Sequence, residues 1–549
     1  MEKKFRKLIW LGLSIAAVAF LLLAYSYLPL TAPGHFNSPD ENANYYFSRL
    51  FAEKQVLHFF DQPNLFSPGN VFPRSMAVVG DFTVPVGFIG APVLFGSAGL
   101  LFGEASIPFV TPVLSVLGVF GWFLLVRRYF GKTVGLMAAG LLAVHPIWWY
   151  ESARTLQPNV LFTVMVIWAA YFWLAAPLSA KFDSKLSPVA DGLAGGLALG
   201  LALAVRTSEV YWIGLVFTLV AVMNRRKLPW VRMASGFFSA TLAFVPFLSI
   251  NMDLYGSFVR TGYGSVASLG SSAAGGGLGM KLIGPLQPYL FPLGFAPRTA
   301  AQHFWSYGLG FVPWWSVAVI GAVGWLVWLW RQRKIKVSSA GGQWFLVAAV
   351  VTVWLVVFYG SWVVRDNPDP SAVTIGSSYF RYWLPLFVLS TLPVAVVLRR
   401  LYGTWPWRRT VMTVGASAYL LAAAFTVFYS SGEGLFFVNR EVRRYAAVVE
   451  DMDGILPEDA VVVTDSADKY VFPARSVVQP FRSAHARRAI VDIQRHLPVY
   501  YYGITLPAQD YRWLREKSLP ADGLTIEAVK SYDHETLYRF DSLSDRSDE

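Results

Sequence analysis

Apolar runs about as long as a bilayer core is thick recur along the chain, divided by short polar stretches. They lie near 8–28, 106–126, 133–150, 160–176, 190–205, 210–223, 234–251, 312–330, 343–361, 379–398 and 410–429, which predicts about eleven transmembrane helices. A further apolar stretch, 84–104, reads as re-entrant or interfacial, so that 84–126 crosses once. After about residue 430 the pattern changes: charge density rises and apolar runs shorten. Helices are expected over 439–453, 484–496 and 508–517. Strands are expected over 460–465, 471–478 and 499–505, with a closing hairpin over 524–531 and 536–540. Alternating helix and strand predicts a small α/β domain over 431–549, following a membrane domain over 1–430.

The long polar loop at 29–83 has its own periodicity. Tyr46, Phe47, Leu50 and Phe51 fall at helical spacing among polar residues, which predicts an amphipathic helix at the membrane surface. A second amphipathic piece is expected near 53–66, interrupted by Pro63, Pro68 and Pro73. The first helix opens on Ser38-Pro39-Asp40-Glu41, a start signature with a capping serine, a proline at the first helical position and Glu41 where a capping box places it. The box uses Glu41 and leaves Asp40 over. A carboxylate at a membrane face is either an acid complementing the helix dipole or a general base, with Glu41 structural or assisting.

Composition supports the membrane reading. Of 549 residues, 55% are hydrophobic, 16% aromatic and only 15% charged, and the mean hydropathy is +0.45. The formal net charge is +12, but the cations sit in short clusters between apolar segments, which argues against nucleic acid as a partner. The clusters Arg127/Arg128/Lys132, Lys181/Lys185, Arg225/Arg226/Lys227/Arg232, Arg331/Arg333/Lys334/Lys336 and Arg399/Arg400/Arg408/Arg409 are expected to face the cytoplasm. Met1–Lys7 followed by a long apolar run without a small-residue cleavage site predicts an uncleaved first span with a cytoplasmic N-terminus. The absence of cysteine excludes disulfides, thiolate metal sites and cysteine nucleophiles. The C-terminal domain has no G-x-G-x-x-G, P-loop or nucleophile elbow, so no cofactor is expected there.

With that orientation the outer face collects 29–83, 151–159, 206–209, 252–311, 362–378 and everything after about 430. Its charged residues lie at span ends: Asp40 and Glu41, Glu151 and Arg154, Arg206 and Glu209, Arg260 with Tyr263, and Arg381 with Tyr382. Each has a plain structural alternative. Arg206 and Glu209 are at pairing distance on a helix, Arg154 has Glu151 nearby, and Arg381 among aromatics suits an interfacial anchor. Taken together, acids and arginines at one membrane face suit transfer of a group carried on a lipid phosphate. Arginines neutralise the phosphate, and a carboxylate takes the proton from an attacking hydroxyl. A divalent metal stays open. The glycine-rich run 269–279 in the 252–311 loop reads as either a slack connector or a lid over the site.

The first outer loop (P-D-E-N-A-N-Y-Y-F-S-R-L-F-A-E-K-Q-V-L), the segment 131–160 with His145-Pro146 and Ser152-Ala153-Arg154, and the late Y-F-R-Y-W-L-P at 379–385 resemble the GT-C glycosyltransferases. Within that class they are most like the bacterial and archaeal relatives of protein O-mannosyltransferases and the lipid A aminoarabinose transferase. The resemblance covers roughly residues 1–430. It implies an inverting transferase using a polyprenyl-phosphate sugar, with Asp40 near the chemistry and a protein, lipid or polysaccharide acceptor. Many members carry an Asp in the second outer loop, where this chain has Gln157-Pro158-Asn159. A transporter or flippase for a lipid-linked sugar is the rival reading. It predicts pseudo-repeated halves and polar residues at mid-membrane, whereas the charges here cluster at span ends. A membrane anchor presenting the last domain would not require so many spans.

Overall fold

A computed structural model of the chain describes residues 2–181, 186–225, 229–258, 260–262, 294–332, 339–364, 366, 369, 372–404 and 407–543. Tyr263, most of the 252–311 loop with its glycine run, and Lys185, Arg226, Lys227, Arg333, Lys334 and Lys336 lie outside the described residues. The chain groups into two compact units. One draws on Met1–Leu30, Phe109–Phe247 and Ser271–Phe437; the other draws on Thr31–Pro108, Leu248–Gly270 and Val438–Glu549.

The first unit is helical. Among the described residues of the chain, eight helices are long and apolar enough to cross a bilayer: Glu104–Phe130, Pro158–Ser179, Ser187–Val205, Trp230–Tyr255, Pro313–Arg331, Gly341–Gly360, Leu384–Tyr402 and Arg408–Tyr429. A ninth arises if Lys132–Ala143 and Pro146–Arg154, bent by 55° at their junction, make one span. The expected first span, near 8–28, is met by the 24-residue helix Glu2–Tyr25, and the expected span near 210–223 by a shorter apolar helix over Thr207–Met223. The bend has a local cause. Pro146 cannot donate into the preceding turn, and the His145 side chain accepts the Ile147 N–H at 3.3 Å to restart the helix. Three of the buried aromatics place their polar ends on acceptors: Tyr25 donates to the Ala143 carbonyl at 2.6 Å, Trp122 to Thr391 at 3.0 Å and Trp383 to the Leu355 carbonyl at 3.0 Å.

One helix pair is packed through glycine. Gly192, Gly196 and Gly200 repeat every fourth residue on Ser187–Val205, and each faces backbone of the helix Trp230–Tyr255 at Arg232, Gly236 and Ala240. A Cβ at Gly196 would overlap the Gly236 carbonyl. Gly196→Ile should therefore force the two helices apart, costing about 1–3 kcal/mol from overpacking. The check is the thermal unfolding midpoint in detergent, with Gly321→Ala, which opens on empty space, as the neutral comparison.

The second unit joins the first polar loop to the C-terminal region. Its larger sheet has strand order β5-β4-β6-β8-β7, with β4 Val461–Val463, β5 Ser476–Val478, β6 Val499–Ile504, β7 Leu524–Tyr532 and β8 Glu535–Ser542. β4 lies parallel to β5 and β6, and β8 runs antiparallel to both β6 and β7. The helix Ala484–Gln494 covers one face through Ala486, Ala489, Ile490 and Ile493, in a core shared with Val461, Val463, Tyr501 and Ile526. β4, β5 and β6 fall within the stretches expected from the sequence, while β7 and β8 cover the expected hairpin and run past its bounds. Residues 53–66 do not form the expected second amphipathic helix. The helix stops at Lys54 because Gln55 turns left-handed, and 59–60 pairs as a strand before a short 3-10 turn begun by Gln62-Pro63. That strand, β1, belongs to an antiparallel sheet of order β1-β3-β2, with β2 Met76–Val79 and β3 Phe82–Pro85. The 84–104 stretch contains Gly90–Phe102, whose 13 residues rise only about 20 Å against a bilayer core of about 30 Å. It lies along the first-loop helix, with Gly96 and Gly99 against Ser48, Phe51 and Ala52.

Candidate active site

In the second unit the helix Pro39–Lys54 starts as its sequence dictates. The Asp40 N–H donates to Ser38 Oγ at 3.3 Å, and the Ser38 N–H donates to Glu41 Oε2 at 3.0 Å, closing a capping box. Glu41 is thereby a buried capping carboxylate, 2% exposed. Asp40 is half-buried, and its Oδ1 accepts a 2.6 Å hydrogen bond from Ser75 Oγ. Ser75 stands at φ 65°, in the left-handed region that a non-glycine residue enters at a cost. Two neighbours in sequence titrate away from their ordinary values. Burial lowers His35, while burial and the adjacent Glu104 push Tyr45 up to about 12. Arg260 is exposed in this unit.

In the first unit Glu151 and Arg154 share the helix Pro146–Arg154 and are both buried, with the Arg154 guanidinium 5.9 Å from the Tyr150 ring centre. The chain then passes through Thr155 and Leu156, at φ 55° and 54°. Thr155 has ψ 168°, a region essentially reserved for glycine. Such a conformation in a β-branched residue persists only when its surroundings impose it, and the Leu156 N–H is indeed held by Thr111 Oγ1 at 3.1 Å. The strained turn aims Gln157 inward. Its Oε1 accepts Arg381 Nη1 at 2.7 Å, and its buried Nε2 has no hydrogen-bond partner among the described residues. Arg381 also donates through Nη2 to Ser378 Oγ at 2.8 Å, and its carbonyl receives Asn159 Nδ2 at 2.9 Å. The Tyr382 ring lies 5.3 Å from the Arg381 guanidinium and 5.2 Å from that of Arg206, so it joins two of the expected arginines.

Arg206 is 6% exposed, and its Nε and Nη2 are committed within the protein. Nε donates to Glu209 Oε1 at 2.8 Å and Nη2 to the Tyr359 hydroxyl at 2.7 Å. Tyr359 in turn donates to Glu209 Oε1 at 2.5 Å, and Trp212 Nε1 to Oε2 at 2.5 Å. Of the sequence candidates, the structure gathers Arg206, Glu209, Arg381 and Tyr382 into one cluster. It keeps Glu151 and Arg154 on one helix, and places Asp40, Glu41 and Arg260 in the other unit. Ser75, Tyr359 and the strained Thr155-Leu156 turn have no sequence signal. Among the described residues no group of three or more His, Asp and Glu side chains is placed to hold a metal ion, and no step below is routed through one.

The family described as dolichyl-phosphate-mannose-protein mannosyltransferase matches residues 95–250. Comparison with curated protein sequences finds no match. Among solved structures, ArnT from Cupriavidus metallidurans bound to undecaprenyl phosphate aligns over 96% of this chain and 98% of its own, with a TM-score of 0.57 and 14% identity. Its apo form aligns over 97% and 98%, with a TM-score of 0.58 and 13% identity. The apo oligosaccharyltransferase from Archaeoglobus fulgidus aligns over 92% of this chain and 70% of its own, with a TM-score of 0.50 and 11% identity. At these identities the likeness is one of fold. Along its length the chain has the fold of these two membrane proteins, and over residues 95–250 its sequence matches that mannosyltransferase family.

Proposed function

We propose that the protein transfers a sugar from a polyprenyl-phosphate donor to an acceptor hydroxyl outside the cytoplasmic membrane, with inversion at the anomeric carbon. The observation that carries this is the Asp40 carboxylate, half-buried at the start of a capped helix and oriented by Ser75 while Glu41 serves the cap. The acceptor oxygen attacks the anomeric carbon as the bond to the phosphate oxygen breaks. The polyprenyl phosphate leaves with the electron pair, and Asp40 takes the acceptor's proton. A phosphate leaving group requires charge stabilisation rather than protonation, which Arg154 and Arg381 supply. The Thr155–Gln157 turn fixes Arg381 for that task. The lipid-phosphate donor is supported by the fold neighbour bound to undecaprenyl phosphate and by the family's dolichyl-phosphate-mannose description. A second fold neighbour, the oligosaccharyltransferase tethered with an acceptor peptide, supports a protein acceptor. The basic clusters between spans support a cytoplasmic N-terminus. The C-terminal region is then extracytoplasmic.

The test is consumption of radiolabelled polyprenyl-phosphate mannose, glucose, galactose and aminoarabinose by the full chain in membranes supplied with crude acceptors. Release of polyprenyl phosphate with sugar in the acceptor fraction is expected. Consumption of none of the four would overturn the reading in favour of a lipid-sugar transporter or flippase. On the consumed donor, Arg381→Gln should lower kcat/KM about 10- to 100-fold, the effect of losing charge-assisted hydrogen bonds to phosphate.

A further inference from the structure

We propose that Ser75 is the positioning residue for Asp40 and that the C-terminal segment Ser466–Phe472 holds it in place, an inference that rests on Asp40 as the base. The segment grips the chain on three sides of Asp40, all within the second unit. Before Asp40, Lys469 Nζ donates to the Asn37 carbonyl at 2.6 Å and the Tyr470 hydroxyl to Asn37 Oδ1 at 2.8 Å. After it, Asn42 Nδ2 donates to the Phe472 carbonyl at 3.3 Å. Beside Ser75, Arg74 is bound to Asp468 through both backbone and side chain. Its N–H reaches Oδ2 at 2.8 Å, Nε reaches Oδ1 at 2.9 Å and Nη2 reaches Oδ1 at 2.5 Å, while Nη2 also meets the Ser466 carbonyl at 2.7 Å.

Asp468 is fully buried while the Arg74 side chain is 38% exposed, so the fork is anchored from the carboxylate side, and its paired bonds fix its geometry. On the other side of Ser75, its carbonyl accepts the Val86 N–H at 3.1 Å. Ser75 is thus pinned from both directions in a left-handed conformation that a serine would not otherwise keep. What that conformation achieves is the 2.6 Å bond from its hydroxyl to Asp40 Oδ1. A carboxylate on a rotatable side chain loses catalytic effect when it leaves its productive rotamer, and a fixed donor on one oxygen prevents that. The C-terminal region, in which the sequence shows no cofactor or nucleophile motif, thereby sets the orientation of the base.

The test compares Ser75→Gly, Ser75→Asn, Asp468→Asn and Asp40→Asn in the full chain, on the polyprenyl-phosphate sugar that wild type consumes among mannose, glucose, galactose and aminoarabinose. Glycine accepts φ 65° without strain, so Ser75→Gly removes the hydroxyl while leaving the backbone at ease. The expected result is a kcat about 10- to 100-fold lower with the donor KM unchanged, the effect of losing a hydrogen bond to a charged group in the reacting step. Asparagine tolerates the left-handed region and carries a donor, so Ser75→Asn should recover part of kcat. Asp468→Asn should lower kcat in the same sense. Normal kcat in Ser75→Gly beside an inactive Asp40→Asn would overturn the positioning role and leave the base assignment standing. Equal losses in Ser75→Gly and Ser75→Asn would also overturn it, since the donor would then be irrelevant. Full activity in Asp40→Asn would remove the base assignment and this inference with it.

Discussion

Asp40→Asn should lower sugar transfer about 10²- to 10⁴-fold at matched expression, the range that a positioned general base contributes. Asparagine keeps the size of the side chain and can still accept the Ser75 hydroxyl through its carbonyl oxygen, so the start of the helix is conserved. What it cannot do is take a proton. The two roles read from the sequence therefore separate cleanly. If Asp40 only complements the helix dipole, the variant costs about 0.3–1 kcal/mol of stability and leaves turnover untouched. If it is the base, turnover collapses while the folded yield is unchanged. Glu41→Gln gives the counterpart. It weakens the capping box, in which Glu41 Oε2 accepts the Ser38 N–H at 3.0 Å, so its main effect should be on stability. Transfer kinetics and the thermal unfolding midpoint, measured on both variants, assign each carboxylate. Normal turnover by Asp40→Asn would move the search for the base to Glu151.

Much of this architecture is written locally in the chain. An apolar run of bilayer length can hardly become anything but a helix, because backbone groups have no other partner in hydrocarbon. The strands Val461–Val463 and Val499–Ile504 announce themselves through β-branched and aromatic residues. Ser38-Pro39-Asp40-Glu41 specifies its own cap. The misreading at 53–66 shows the limit of periodicity. The aromatic spacing continues, but a left-handed Gln55 ends the helix, and Gln is not a residue whose sequence signals that turn. The site is less legible because its partners are remote in sequence. Ser75 is 35 residues from Asp40, Tyr359 is 150 from Glu209, and Asp468 is 394 from Arg74. Thr155 and Leu156 at positive φ run against their own propensities, and only the folded surroundings can impose that.

Glu209→Leu should destabilise the protein by about 3–5 kcal/mol, the cost of leaving a buried charge without its counterion. The carboxylate receives Arg206 at 2.8 Å, Tyr359 at 2.5 Å and Trp212 at 2.5 Å, and all three donors would lose their acceptor together. Removing both charges, as in Arg206→Met with Glu209→Leu, should restore the part of the loss due to the unpaired charge, while Tyr359 and Trp212 still lack their acceptor. That double variant also decides what Arg206 does. The sequence allowed it either to bind the donor phosphate or to pair with its neighbour, and the geometry places its Nε and Nη2 on Glu209 and Tyr359. A scaffold role predicts that the double variant regains part of its unfolding midpoint with an unchanged donor KM. A phosphate-binding role predicts the same partial recovery with a KM raised about tenfold or more, since a charge-assisted hydrogen bond to the donor would be gone. The committed guanidinium favours the first outcome. Arg381, held by the Gln157 amide at 2.7 Å and the Ser378 hydroxyl at 2.8 Å, is then the arginine of this cluster proposed for the donor phosphate.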